Sequence, residues 1–334
     1  MYKVVSAMAP LYFALGLGYA SVRWWKFFTP EQCDAVHRLV TYFAIPFFAF
    51  DAAARTDPYA LNYRVLAADA LSKVVVALVL AAWAAAYTAR HRSRRVAVGS
   101  GPEFVSAWCI TGYSLAALNN TLVVGVPLMD AMYGDWARDL IVQLSVAQFI
   151  VYFPLLLLAF EVRRASGGAW KPDAAVPVKD DAEGGVEEKR PELRIWPLVR
   201  VVWLNLTRNP NVYAGVLGIA WSCVTNRWHI KTPSVFQGSI QIMSRTGLGL
   251  RMFSIGQFMA LQESIISCGA VLAAFGVAVR FIAGPAATAV GAVALGLRGD
   301  TLRVTILQAA LPQSITTFVF AREYDLHADV LSTA

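Results

Sequence analysis

The chain has 334 residues, of which 57% are hydrophobic and 15% charged, with a mean hydropathy of +0.51 and a net charge of +7. Soluble domains carry about 25% charged residues, and the shortfall runs along most of this chain, which argues against a soluble enzyme or a single anchored domain and for an all-α polytopic membrane protein. The positive excess reads as a topology signal rather than a nucleic-acid footprint, so no nucleic-acid partner is expected and the bilayer is.

A helical crossing takes about 20 mostly apolar residues. Candidate spans in chain order are 4–22, 37–54, 64–89, 103–133, 139–160, 211–225, 233–261, 271–297 and 301–324, and a tenth begins near His327 and is cut short at Ala334. The first starts too close to Met1 and runs too long for a cleaved signal, so it is expected to stay. Between the fifth and sixth spans the chain turns polar, with Gly167, Gly168, Pro172, Pro177, Gly184 and Gly185 among alternating charges. That composition suits a flexible loop. It separates a first five-helix repeat (1–160) from a second (208–334), with 161–207 between them. With the N-terminus outside, 17 of the 29 Lys/Arg residues fall on the cytosolic side and 8 on the other; the central loop supplies nine of the 17. The bias places that loop in the cytosol. Five helices on each side of a cytosolic loop give oppositely oriented halves, the inverted-repeat plan of many secondary transporters.

The halves resemble each other at one place. Leu118-Asn119-Asn120-Thr121 in the fourth span lines up with Leu311-Pro312-Gln313-Ser314 in the ninth. Proline inside a helix removes a donor and clashes with the preceding turn. Pro312 either makes a packing kink or opens a break lining a cavity, and the polar Gln313 and Ser314 favour the cavity. A broken helix turns its half-helix N-terminus toward the gap, which favours an anion. Asn119 and Asn120 point to different sides of a helix, so one interhelical contact cannot satisfy both; an unwound crossing of spans four and nine would.

Other polar groups sit within spans. Asp69 and Lys73 share a helix face, as a supporting ion pair or a structural one. Gln148 and Tyr152 share a face of the fifth span and line a cavity or a helix contact. Arg245, Arg251 and Arg280 lie in the second half; snorkelling accounts for those near helix ends, and Arg245 and Arg251 resist that reading. Cys33, Cys109, Cys223 and Cys268 show no CxxC spacing and read as buried small hydrophobes. No metal site, cofactor or enzyme constellation is expected. Tyr133-Gly134-Asp135 and Tyr324-Asp325 hint at intramembrane aspartyl proteases, but they fall at span ends, where carboxylates are ordinary surface groups.

Several specific stretches resemble one family along almost the whole chain. They are Met8-Ala9-Pro10-Leu11-Tyr12, Tyr19-Ala20-Ser21-Val22-Arg23-Trp24-Trp25-Lys26, Phe28-Thr29-Pro30-Glu31-Gln32-Cys33, Asp57-Pro58-Tyr59-Ala60, Asn120-Thr121-Leu122-Val123, Asn209-Pro210-Asn211, Gln308-Ala309-Ala310-Leu311-Pro312-Gln313 and Phe318-Val319-Phe320-Ala321-Arg322-Glu323-Tyr324. The chain is similar to the PIN-FORMED auxin efflux carriers of plants. The resemblance implies a ten-helix (5+5) inverted repeat with broken crossover helices four and nine, a homodimer, and elevator-type transport of the indole-3-acetate anion without metal or ATP. It places Asn120 on the substrate carboxylate and Asn211 in the site. Ile45, Leu122 and Ile315 become apolar lining, and Asp69 with Lys73 the support pair. The short central loop resembles the short-loop members, which act mainly at the endoplasmic reticulum; long-loop members reach the plasma membrane. Asn119 stands where the family has a crossover proline, Thr316 and Thr317 where it has Val and Pro, and Ser244-Arg245-Thr246 where it has Ser-Asp-Ala. The rival readings are an ion-coupled carrier of another organic anion and a transport-dead regulatory or receptor homologue.

Overall fold

The computed structural model describes residues 2–91, 102–166, 200, 210–262 and 268–333. Most of the expected central loop lies outside them. All regular elements among the described residues are helical. In order they are α1 (Tyr2–Arg23), α2 (Pro30–Leu39), α3 (Ile45–Arg55), α4 (Tyr63–His91), α5 (Pro102–Ala117), α6 (Val126–Tyr133), α7 (Asp135–Ala147) and α8 (Phe153–Ser166), then α9 (Pro210–Trp228), α10 (Ser234–Leu261), α11 (Ala270–Ala278), α12 (Gly284–Ala294), α13 (Gly299–Ala309), α14 (Ile315–Glu323) and α15 (Ala328–Thr333). Among the described residues four continuous stretches, Tyr2–Arg23, Tyr63–Arg90, Asp135–Arg164 and Ala270–Ala294, are long and apolar enough to cross a membrane.

The second expected span, 37–54, starts earlier than hydropathy suggests. Thr29 caps α2 in a reciprocal capping box with Gln32, and Pro30 opens the helix. Those two devices are local and strong, so they start a helix in a polar stretch that carries no hydropathy signal.

Wide π turns join consecutive helices at Val40–Ala44, Thr121–Gly125, Gln148–Tyr152 and Val279–Ala283. Each is followed, two residues on, by a proline: Pro46, Pro127, Pro154 and Pro285. A proline ring clashes with the carbonyl four residues back. In each case the residue before the proline donates to the carbonyl five back, as Ile45 N–H does to Val40 and Gly284 N–H to Val279. The extra residue per turn makes room for the ring and keeps the chain helical.

Helix packing is reciprocal between the halves. α1 packs on α10, and α9 packs on α3; α3 also meets α10, while α12 packs on α4. Glycines permit these approaches. A methyl group on Gly18 would lie 2.0 Å from the Phe253 carbonyl oxygen, and one on Gly256 would lie 2.0 Å from that of Leu15. Gly291 of α12 stands in the same relation to Ala68 of α4, at 2.7 Å. Between membrane helices lipid supplies no hydrophobic drive, so such close contact is a main source of attraction. The largest apolar cluster gathers Leu115, Leu118, Phe153, Phe160, Ala321 and Leu326 around α5, α8 and α14.

Candidate functional site

The fourth and ninth expected spans are both broken. α5 ends at Ala117 and helix resumes at Thr121; α13 ends at Ala309 and helix resumes at Ile315. The two breaks lie side by side, with Asn119 and Gln313 forming an antiparallel bridge. Asn120 N–H donates to the Pro312 carbonyl at 2.9 Å, and Ser314 N–H to that of Leu118 at 3.4 Å. The bridge thereby satisfies backbone groups that lipid could not.

Side chains repeat the exchange. Asn119 Nδ2 donates to the Gln308 carbonyl at 2.6 Å, and Gln313 Nε2 to the Ser114 carbonyl at 3.0 Å. This relates Asn119 to Gln313 and Asn120 to Ser314. The sequence match is thus one residue out, because it followed the proline. Leu118 and Pro312 are the related pair; both supply only carbonyls to the bridge, a position that suits a residue without an N–H. Thr317 completes the second break, donating to the Ser314 carbonyl and accepting from Gln313 Nε2, both at 2.6 Å.

Gln148 grips the first break from α7's π turn. Its Oε1 accepts from Asn119 N–H at 3.2 Å, and its Nε2 donates to the Asn119 carbonyl at 2.7 Å. Both ends of the amide are therefore committed to backbone rather than turned to a cavity. Gln148→Leu should strand one buried donor and one buried acceptor. Each costs about 1–3 kcal/mol, so a drop in melting temperature in detergent is expected.

Asp69 and Lys73 are buried deep in α4 and not at a helix end. Lys73 Nζ lies 2.5 Å from Asp69 Oδ1 and 4.3 Å from the centre of the Tyr152 ring. Gln308 Nε2 reaches Asp69 Oδ1 at 3.4 Å, while its Oε1 accepts from Asn119 Nδ2 at 2.8 Å. The ion pair is thus wired to the crossing through Gln308, with a small polar cavity between them that Ser72 and Thr288 also line.

On the other side of the crossing the surroundings turn apolar. Asn120 and Ser314 head the two resumed helices, and neither makes a side-chain cap. First-turn N–H groups are left open by such a start. The half-buried Asn120 side chain has no hydrogen-bond partner among the described residues. Leu122, just beyond it, is buried against Ala49 of α3 and Ala214 of α9. A narrow apolar cleft runs here between Leu122, Ala49, Phe149 and Gly215. Ile45 is buried one turn before Ala49 on α3, and Ile315 is half-buried at the start of α14. Asn211 falls in the first turn of α9; its side chain lies outside the described residues.

The arginines sort differently from the sequence reading. Arg245 is exposed. Arg251 is buried, and its Nη1 reaches Thr41 Oγ1 at 3.4 Å. Arg280 does not snorkel: it is 0% exposed. Its Nε donates to the Leu311 carbonyl at 2.6 Å, and its Nη1 to those of Leu115 and Leu118 at 2.7 and 3.3 Å. The available signal was depth, since it stands about ten residues into the 271–297 span. The Tyr-Gly-Asp stretch carries no such burial, for Asp135 is an exposed partner of Arg138 at 2.6 Å.

Comparison with known proteins agrees with this geometry. Residues 3–334 match the family described as membrane transport protein. The probable auxin efflux carrier component 5b of Oryza sativa subsp. japonica is 67% identical, over 100% of this chain and 92% of its own length. The auxin efflux carrier component 5 of Arabidopsis thaliana is 51% identical with the same coverage, and component 8 of that plant 36% identical, also over 100% and 92%. A chain whose broken helices cross side by side, and which matches these carriers throughout its length, is a transporter rather than an enzyme and belongs to the PIN-FORMED auxin efflux carrier family, short-loop type.

Proposed function

We propose that the chain carries the indole-3-acetate anion, or a close aryl carboxylate, from the cytosol to the endoplasmic-reticulum lumen, as a homodimer and by an elevator motion. The observation that carries this reading is the unpartnered Asn120 amide at an uncapped helix start, directly beside the apolar Leu122 cleft. An amide and open N–H groups suit a carboxylate, and the apolar wall suits an indole. Ile45 and Ile315 extend the lining and the family resemblance adds Asn211, while Asp69 and Lys73 hold the crossing from behind. Pairing with Lys73 and Gln308 makes Asp69 a support rather than a free proton carrier. The mutual packing of α1, α3, α9 and α10 supports a scaffold against which the crossing moves. The short stretch between repeats supports the endoplasmic reticulum as the site of action.

Flux of radiolabelled indole-3-acetate into reconstituted vesicles tests the reading. Saturable uptake is expected, with half-saturation raised about tenfold in Asn120→Ala, the worth of one hydrogen bond to a charged group. Uptake that is absent, or indifferent to this substitution, would sink the substrate or the site respectively.

A further inference from the structure

We infer that Arg280 is a positioning residue that sets the charge preference of the crossing without touching the substrate. Four half-helices meet there. Two begin, at Thr121 and Ile315, and turn positive ends to the gap; two finish, at Ala117 and Ala309, and turn negative ends to it. A helix end carries roughly half an elementary charge. Left alone, the two negative ends would cancel the attraction of the positive ones, and a carboxylate would gain little.

Arg280 sets its charge beside the negative ends: Leu115 lies in the last turn of α5, Leu118 one residue past it and Leu311 two residues past the end of α13. Its fork spans carbonyls from both halves, Leu115 and Leu118 on one side and Leu311 on the other. No lysine could reach these with one nitrogen, because the planar guanidinium presents separate donors in fixed directions. The position is built to hold it. Arg280 lies on the π turn Val279–Ala283, and the adjoining Gly284 brings this strand of helix so close to α5 that a methyl group would lie 2.6 Å from the Ala116 carbonyl oxygen. No carboxylate among the described residues pairs with it; the buried Asp69 is taken by Lys73 and Gln308. Nη2 is buried and without a partner among the described residues. The full charge of Arg280 therefore offsets two half charges and leaves the positive helix starts unopposed. Acting through backbone, it attracts an anion without gripping it, which leaves release fast.

This assignment rests on the carboxylate reading above, and one comparison separates the two. Purified wild type, Arg280→Lys and Arg280→Gln are assayed for binding of indole-3-acetate and of the neutral indole-3-acetamide, then for flux of the acid. Wild type is expected to prefer the acid. Arg280→Gln should lower the acid-to-amide preference about tenfold, the scale of one charge acting through a partly buried medium. Arg280→Lys should keep that preference within about twofold while lowering maximal flux, since the charge stays and the fork is lost. Equal weakening of both compounds in Arg280→Gln, or loss of preference in Arg280→Lys, overturns the role of Arg280 alone. If Arg280→Gln does not fold, the lysine variant decides: preference kept with reduced flux supports the role, and any other result overturns it. Wild type that binds neither compound removes the carboxylate reading itself, and this assignment with it.

Discussion

Gly256→Val is expected to yield a chain that inserts in the membrane but fails to assemble α1 on α10. The Cβ alone would sit 2.0 Å from the Leu15 carbonyl oxygen and 2.8 Å from the Tyr19 nitrogen, both rigid backbone atoms of a continuous helix. Overpacking of an ordinary core costs about 1–3 kcal/mol because side chains can yield; here nothing flexible is in the way, so at least about 3 kcal/mol is expected. Gly18 makes the reverse contact on the Phe253 carbonyl, and α1 cannot slide to relieve one clash without worsening the other. Gly249 of the same helix faces open space and is the control. Size-exclusion profiles and melting curves in detergent should show Gly249→Val close to wild type and Gly256→Val aggregated or melted. Equal behaviour would mean that the α1–α10 contact does not hold the molecule together.

Lys73→Met carries the second large effect. It leaves the Asp69 carboxylate nearly sealed from solvent without its cation, facing neutral donors such as the Gln308 amide at 3.4 Å. Removing one member of a buried ion pair costs about 3–5 kcal/mol, mostly through the stranded charge. Combining it with Asp69→Asn should restore much of that loss, since neutral partners need less solvation, and the double variant should be less destabilised than the sum of the single ones. Melting temperatures of the four proteins give the comparison directly. A double variant no better than Lys73→Met alone would show that lysine packing on Tyr152, and not charge pairing, holds this region.

Much of this was legible from residue types. Apolar runs located the long helices because the bilayer imposes their length. Pro312 and the adjacent amides marked the breaks because backbone freed in lipid must find partners. The same signal misaligned the two breaks by one residue: it weighed proline as a breaker, whereas in the bridge the Pro312 carbonyl accepts from the Asn120 N–H, a role visible only with both strands present. Helical spacing put Gln148 with Tyr152 and left cavity lining and a helix contact equally open; that Gln148 turns both polar atoms onto Asn119 depends on a π turn that hydropathy cannot register. Arg280 was passed over because snorkelling is the ordinary fate of a membrane arginine, and its three acceptors come from segments distant in sequence. By contrast Asp69 and Lys73 were paired correctly, since four residues on one helix settle the geometry.

The crossing also has a consequence for biogenesis. Asn119 finds the Gln308 groups it needs 189 residues further along the chain. At about 5–20 residues per second, synthesis takes roughly ten to forty seconds to supply them. Throughout that interval Gln148 can already hold the Asn119 backbone of the unwound segment, but the Asn120 N–H, the Leu118 carbonyl and the Asn119 side chain lack the partners that the second half brings. A half-made carrier must therefore shelter this segment, in water or against an insertion factor, until its counterpart emerges. The feature that makes the two halves interdependent in the finished molecule makes the first of them a client for protection while it waits.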